Sequence, residues 1–260
     1  GDYGRRVTAT SRDEVGELAR AFNAMAAELA DVDRMRRDLV ANVSHELRTP
    51  IGALQALLEN LVDGVATADP ATLSTALSQT ERLGRLVAEL LDLSRIDAGA
   101  VALELEPVPV AELVGQTVAE AEVAARVGDR GVGFTIDIPP RLVARVDRNR
   151  VHQVLVNLLD NAARHGPANG RVDVRAQAGP DGLVVEVVDE GPGIAREDRE
   201  RVFERFTRGE RAGGGGTGLG LNIARWVVDL HGGSIAVVDG PGCRIRVTLP
   251  AEPPCPPDVL

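Results

Sequence analysis

The sequence predicts a multi-domain chain: an all-α helical hairpin, suited to a dimeric four-helix bundle, followed by an α/β sandwich with a mixed sheet. Three observations carry this. Apolar residues recur at steps of three and four from Val15 to Leu61, and a second set stripes one face from Leu73 to Leu91, as in amphipathic helices. From Val101 onward, short strand-like runs alternate with helical patterns, the texture of a layered α/β domain. The composition also allows a packed core, since 44% of the 260 residues are hydrophobic; with only 2% aromatic, Leu, Val, Ile and Ala must fill it.

The net charge is −10 and every basic residue is arginine, which argues against a nucleic-acid binder with a basic surface. Cys243 and Cys255 have no metal-site spacing and read as incidental residues in a reducing compartment. No apolar run reaches membrane-spanning length and no signal peptide opens the sequence, so a soluble polypeptide is expected.

Residues 1–12 are polar and loop-like. Asp13 and Glu14 then supply acid to a helical first turn. Val15, Leu18, Phe22, Met25, Leu29 and Val32 form a heptad seam, so this helix is expected to pair with others. No helix breaker separates Val32 from His45, and a single helix is expected from about Asp13 to Leu61. Met35, Leu39, Val43, Leu47 and Ile51 follow at successive steps of four, a stutter that locally unwinds a left-handed supercoil.

His45 falls inside this irregular stretch, VSHELRTPI (Val43 to Ile51), about 200° around the helix from Val43. Its imidazole should face solvent beside Glu46. Pro50 cannot donate to the carbonyl of Glu46, so the helix should kink or loosen one turn later. A turn follows at Asp63-Gly64 and Asp69-Pro70. Leu73, Leu77, Leu83, Val87, Leu90 and Leu91 stripe a second helix that closes near Ala98-Gly99. Two helices alone bury too little, which is why a second copy is expected to complete a four-helix bundle.

In the α/β part, strands are expected at Val101 to Leu105, Phe134 to Ile138, Leu142 to Val146, Arg171 to Ala176, Leu183 to Asp189, Ser234 to Val238 and Arg244 to Leu249. Helices are expected at Val110 to Arg126, Arg148 to Arg164 and Leu219 to Leu230, packed on one face of a mixed sheet. The proline-rich tail should be extended or disordered.

Three clusters could carry chemistry. On the helix from Asp147 to Gly166, Val154, Leu155, Leu158 and Leu159 form the core face. Asn157 and Asn161 share another face at i, i+4, with Arg164 and His165 in the last turn. Amide oxygens can ligate Mg²⁺ and a guanidinium can neutralise phosphate oxygens, although a solvated polar face would use the same residues. Asp189-Glu190-Gly191-Pro192-Gly193 ends an apolar strand. A carboxylate there can accept from an exocyclic amine and the glycines admit a flat ring, although a plain turn has the same composition. Gly213 to Gly216, then Thr217, Gly218, Leu219 and Gly220, open a helix whose N-terminus suits phosphate. This last cluster is neither a Walker A loop nor a Rossmann fingerprint, since no Lys follows and no strand leads in.

In order along the chain, these clusters resemble the sensor histidine kinases of two-component systems. VSHELRTPI resembles the H box, Asn157 to Asn161 the N box, and Asp189 to Gly193 the first glycine box. Phe203-Glu204-Arg205-Phe206 resembles the F box, and Gly216 to Gly220 the second glycine box. Upstream, Asp13-Glu14-Val15-Gly16 and Phe22-Asn23-Ala24-Met25 resemble the second half of a HAMP linker.

The resemblance implies a HAMP remnant at residues 1–34, a dimerising phosphotransfer hairpin at 35–100, an ATP-binding domain of the GHKL type at 101–250 and a tail at 251–260. It implies His45 as phosphoacceptor, oriented by Glu46, with ATP and Mg²⁺ as cofactors and Asn161 as the metal ligand. Asn157, Arg164 and His165 would surround the phosphates, with Arg208, Thr217, Gly218, Leu219 and Gly220 beside them. Asp189, Gly191 and Gly193 would receive adenine. Phosphate would pass to an aspartate on a response regulator, and Thr49, one turn from His45, would serve the reverse dephosphorylation. The family also implies a homodimer, no nucleic-acid partner, and a cytoplasmic portion of a cell-membrane protein that begins mid-HAMP, with transmembrane segments upstream. Two rivals remain: a related ATPase of the gyrase or MutL class, and a degenerate kinase acting as a scaffold. The ATPase class usually carries a glutamate where this chain has Asn157.

Overall fold

The computed structural model describes residue 7 and residues 13–97, 103–127, 131–204 and 218–251. It divides into two compact units, Gly1–Leu86 and Val87–Leu260. In chain order the elements are α1 (Glu14–Val62), α2 (Pro70–Asp97), β1 (Glu106–Pro109), α3 (Val110–Val127), β2 (Gly133–Asp137), β3 (Val143–Val146), α4 (Arg148–His165), β4 (Arg171–Gly179), β5 (Gly182–Asp189), α5 (Gly220–Leu230), β6 (Ser234–Val237) and β7 (Cys243–Pro250). Two short 3₁₀ turns, Arg196–Asp198 and Arg201–Phe203, lie between β5 and α5.

In the first unit, α1 is a single helix of 49 residues, matching the expected span almost end for end. It starts where Asp13 accepts the Gly16 N–H on its side chain at 3.0 Å, a side-chain N-cap with Glu14 and Glu17 in the first turn. The helix continues through Pro50, so the missing donor there does not end it. Val15 and Leu18 are 70% and 71% exposed, and Phe22, Met25, Leu29 and Val32 are exposed with them, which leaves the whole heptad seam open on the single chain. On another side, the Asn23 amide bonds the backbone of Val7 in both directions: Val7 N–H donates to Oδ1 at 2.9 Å and Nδ2 donates to the Val7 carbonyl at 2.8 Å. Gly64, at φ +69, makes the turn after α1. Pro70 opens α2 at a position where no N–H is required, and Asp69 accepts from Thr72 N–H at 2.7 Å. That bond holds the Asp69 carboxyl below its ordinary value.

In the second unit, five strands form one mixed sheet in the order β2-β4-β5-β7-β6, where only β2 and β4 run parallel. Leu183, Val185 and Val187 of β5 and Ile245, Val247 and Leu249 of β7 point to one face. There they meet the apolar stripes of α4 and α5 in a common core. Leu158 and Leu159 of α4 are among the most deeply buried side chains, each contributing roughly 1.5–3 kcal/mol. The opposite face of the sheet is polar: Arg246 pairs with Glu186 at 2.7 Å, and Arg171 with Asp173 at 3.0 Å. The helices therefore lie on one face, as the alternation predicts.

One strand departs from expectation. Residues 103–105 are not in a strand, residues 101–102 lie outside the described residues, and β1 comes later, at Glu106–Pro109, paired antiparallel with β3. Pro107 and Pro109 lack the N–H that a strand ladder uses. Val110 N–H bonds the Leu142 carbonyl, so Glu106, Val108 and Val110 turn their amides towards β3. Pro107 and Pro109 then face the free edge, where no N–H is needed. The proline-rich tail lies outside the described residues, apart from its start.

Candidate functional site

The second unit brings described residues of the expected clusters close together, partly through tight turns at glycine. Asp189 ends β5 and is 5% exposed. Its carboxylate accepts the Gly191 N–H at 2.7 Å, and the backbone N–H and thiol of Cys243 bond to it as well. Burial raises the Asp189 carboxyl above its ordinary 3.8, against the pull of the Gly191 and Cys243 bonds and of His165. Cys243 sits directly across the β5–β7 ladder, and its own thiol is pushed up to about 12 by burial and by the neighbouring carboxylate. It is thus an inert thiol and a neutral donor.

A Cβ on Gly191 would lie 2.6 Å from Asp189 Oδ1 and 3.0 Å from the His165 carbonyl, so the end of α4 packs against this turn. Gly242, at φ +72, would drive a Cβ into the Asp189 carbonyl, and Gly193, at φ +73, would place one 2.9 Å from the Gly242 carbonyl. The turn after β5 and the turn before β7 therefore touch backbone to backbone.

The N-terminus of α5 closes the other side. A Cβ on Gly220 would meet Asn157 Oδ1 at 3.5 Å. Asn157 Nδ2 is buried and has no hydrogen-bond partner among the described residues, a costly state for a buried donor. Asn161 lies half-buried one turn along α4. Arg164 pairs with Asp160, one turn back on the same helix, and His165 is exposed at its end. Gly218 takes φ +68, and Leu219, the N-cap of α5, buries its side chain while its carbonyl accepts the Ile223 N–H at 2.8 Å. Arg208 and Thr217 lie outside the described residues.

Sequence reasoning missed several residues here. Cys243 was set just outside an expected strand, and only the register reveals its place opposite Asp189. Glu190 accepts the Arg171 N–H at 3.0 Å and ties the glycine turn to the start of β4. Asn222 Nδ2 donates to the Phe203 carbonyl at 2.9 Å and ties α5 to the buried end of the second 3₁₀ turn.

In the first unit, His45 is exposed on α1, as the periodicity predicts, with Glu46 half-buried beside it. The Thr49 hydroxyl, also exposed, reaches back to the His45 carbonyl. Pro50 is buried.

Residues 146–253 match the family of histidine kinase-, DNA gyrase B- and HSP90-like ATPases, residues 35–99 the His Kinase A phospho-acceptor domain, and residues 1–31 the HAMP domain. The chain belongs to the two-component sensor histidine kinases. Among curated relatives of this chain, the signal transduction histidine-protein kinase BaeS of Escherichia coli is 36% identical over 260 residues, covering 97% of this chain and 55% of that protein. The sensor protein SrrB of Staphylococcus aureus is 36% identical over 228 residues, 85% of this chain and 39% of that one. The chain thus spans about half the length, or less, of these relatives.

Among solved structures, the Acinetobacter baumannii histidine kinase AdeS aligns with TM-score 0.65 at 29% identity, over 80% of the present chain and 98% of that one. The histidine kinase ThkA, solved in complex with the response regulator protein TrrA, aligns with TM-score 0.64 at 26% identity, over 83% of the present chain and 62% of that one. No helix among the described residues is long and apolar enough to cross a membrane.

Proposed function

We propose that this kinase transfers the γ-phosphoryl group of ATP to His45 and then passes it to an aspartate on the receiver domain of a response regulator. The observation that carries this reading is the buried, unpartnered Asn157 amide beside Gly220, in the same domain as the fixed Asp189 carboxylate. A polyanion with an exocyclic amine would satisfy both ends. Asp189 would accept from the adenine amine, while Asn157, Arg164 and the N-terminus of α5 would hold phosphate oxygens. Arg208 and His165 are assigned to the phosphates as well. Mg²⁺ would use the amide oxygen of Asn161 and neutralise charge on the phosphate chain.

In the transfer, a bond forms between one imidazole nitrogen of His45 and the γ-phosphorus. The bond to the bridging oxygen of ADP breaks, and Glu46 accepts the proton from the other ring nitrogen. Little covalent work falls to the protein, so positioning and charge neutralisation supply most of the rate. The open seam of α1 supports a homodimer, and the HAMP match supports a membrane-associated protein with these residues on the cytoplasmic side. The working boundaries are 1–34, 35–100, 101–250 and 251–260. Incubation with labelled ATP and Mg²⁺ tests the reading: an acid-labile, base-stable label is expected on the wild type and not on His45→Gln. A label that survives the substitution would overturn it.

A further inference from the structure

Asp147 lies between β3 and α4 and is 7% exposed. Its polar groups reach three segments, and its carbonyl also accepts the Val151 N–H of α4 at 2.9 Å. Oδ1 accepts the Arg150 N–H at 3.1 Å and caps α4. Its own N–H donates to His231 Nε2 at 3.1 Å, at the C-cap of α5. Oδ2 accepts the Glu104 N–H at 3.1 Å, between the end of α2 at Asp97 and the start of β1 at Glu106. His231 is 1% exposed and bonds the Val227 carbonyl through Nδ1 at 2.8 Å, which fixes the proton on Nδ1 and leaves Nε2 as an acceptor.

A helix cap does not require a buried carboxylate. Ser or Thr caps as well with one oxygen, and burying a charge carries a penalty that two donors must offset. The second oxygen is explained by Glu104. That residue belongs to the stretch of chain that arrives from the histidine-bearing hairpin, and α4 carries Asn157 and Asn161.

We propose that Asp147 is a positioning residue for phosphoryl transfer: it fixes the chain arriving from the hairpin onto the N-terminus of the helix that holds the candidate phosphate ligands. The inference rests on the proposed kinase reading. With this bond in place, the incoming chain and α4 move as one piece; without it, nucleotide still binds but is delivered to His45 less often.

Two substitutions remove the bond from opposite ends. Asp147→Ser keeps an acceptor for Arg150, and Glu104→Pro removes the donor without touching Asp147. Glu104→Ala keeps the N–H and serves as control. In both test variants the affinity for a fluorescent ATP analogue is expected within twofold of wild type, while the rate of His45 labelling at saturating ATP falls at least fivefold. Amide exchange at Glu104, slow in wild type, is expected to become fast in Asp147→Ser, and it reports on the anchor whether or not the protein phosphorylates. Unchanged labelling in either variant, affinity lost in step with rate, a defect in Glu104→Ala, or fast exchange at Glu104 in wild type would each overturn the inference. A wild type that binds the analogue and never labels His45 would instead sink the kinase reading, with the exchange data still deciding the anchor.

Discussion

The Thr49 hydroxyl donates to the carbonyl oxygen of His45, one helical turn back, at 3.3 Å. Side chains four apart share a helix face, so Thr49 and His45 lie on the same face of α1. Thr49→Ala is expected to keep autophosphorylation within about twofold and to slow dephosphorylation of the regulator by roughly tenfold or more, the scale of losing an oriented water. The two rates, measured on one preparation, decide the matter; an equal loss of both would refute a separate role.

Asp189 should set both nucleotide selectivity and its pH limit. If Asp189 receives the adenine amine as proposed, Asp189→Asn would set a donor against it, and loss of a hydrogen bond to a charged group weakens binding by roughly 10- to 100-fold. Binding needs the ionised carboxylate, which is present above the folded-state pKa and lost as pH falls through it. Burial has raised that pKa above 3.8, so affinity should begin to fail at a less acidic pH than an exposed Asp would give. Titrating analogue affinity between neutral and acid pH checks the direction.

His231 should make the ATP-binding domain acid-sensitive. Burial lowers its pKa below 6.5, so the unfolded chain takes up a proton at a pH where the folded one does not. Stability is therefore full above about 6.5 and falls as pH drops below it, by at most about 1.4 kcal/mol per pH unit. His231→Gln, which keeps an acceptor for the Asp147 N–H, should flatten that slope. Thermal melts of both proteins at several pH values would expose a parallel slope if the idea is wrong.

Two glycine substitutions should have opposite signs. Gly242→Ala forces a side chain against the Asp189 carbonyl at a left-handed backbone, and is expected to cost about 1–3 kcal/mol or more. Gly52, inside α1, has open space around it, and Gly52→Ala should stabilise by about 0.5–1 kcal/mol. Equal melting shifts would contradict the packing described around Asp189.

The helices were readable because their signals are local. Asp147, the stripe of Val154, Leu155, Leu158 and Leu159, and the closing Arg164-His165 pair bound α4 to within one residue. Strand β1 was not readable, since Pro107 and Pro109 argue against any strand until it is known which edge they face. The same divide runs through the site. Asp189, Gly191 and Asn157 stand out as short strings with a chemical sense. Cys243 opposite Asp189, Asn222 on Phe203 and Glu104 on Asp147 join residues far apart in sequence, and nothing in the neighbours of either partner announces the other.

The single run of α1 from Glu14 to Val62 also limits how such a chain can be recombined. Each residue added or removed between Phe22 and His45 would turn the imidazole by about 100° relative to the seam, whereas seven would turn it by only about 20°. A chimaera that grafts a foreign input helix upstream thus inherits a phase, and workable junctions should recur with the heptad. For exchangeable modules, this helix acts as a reading frame.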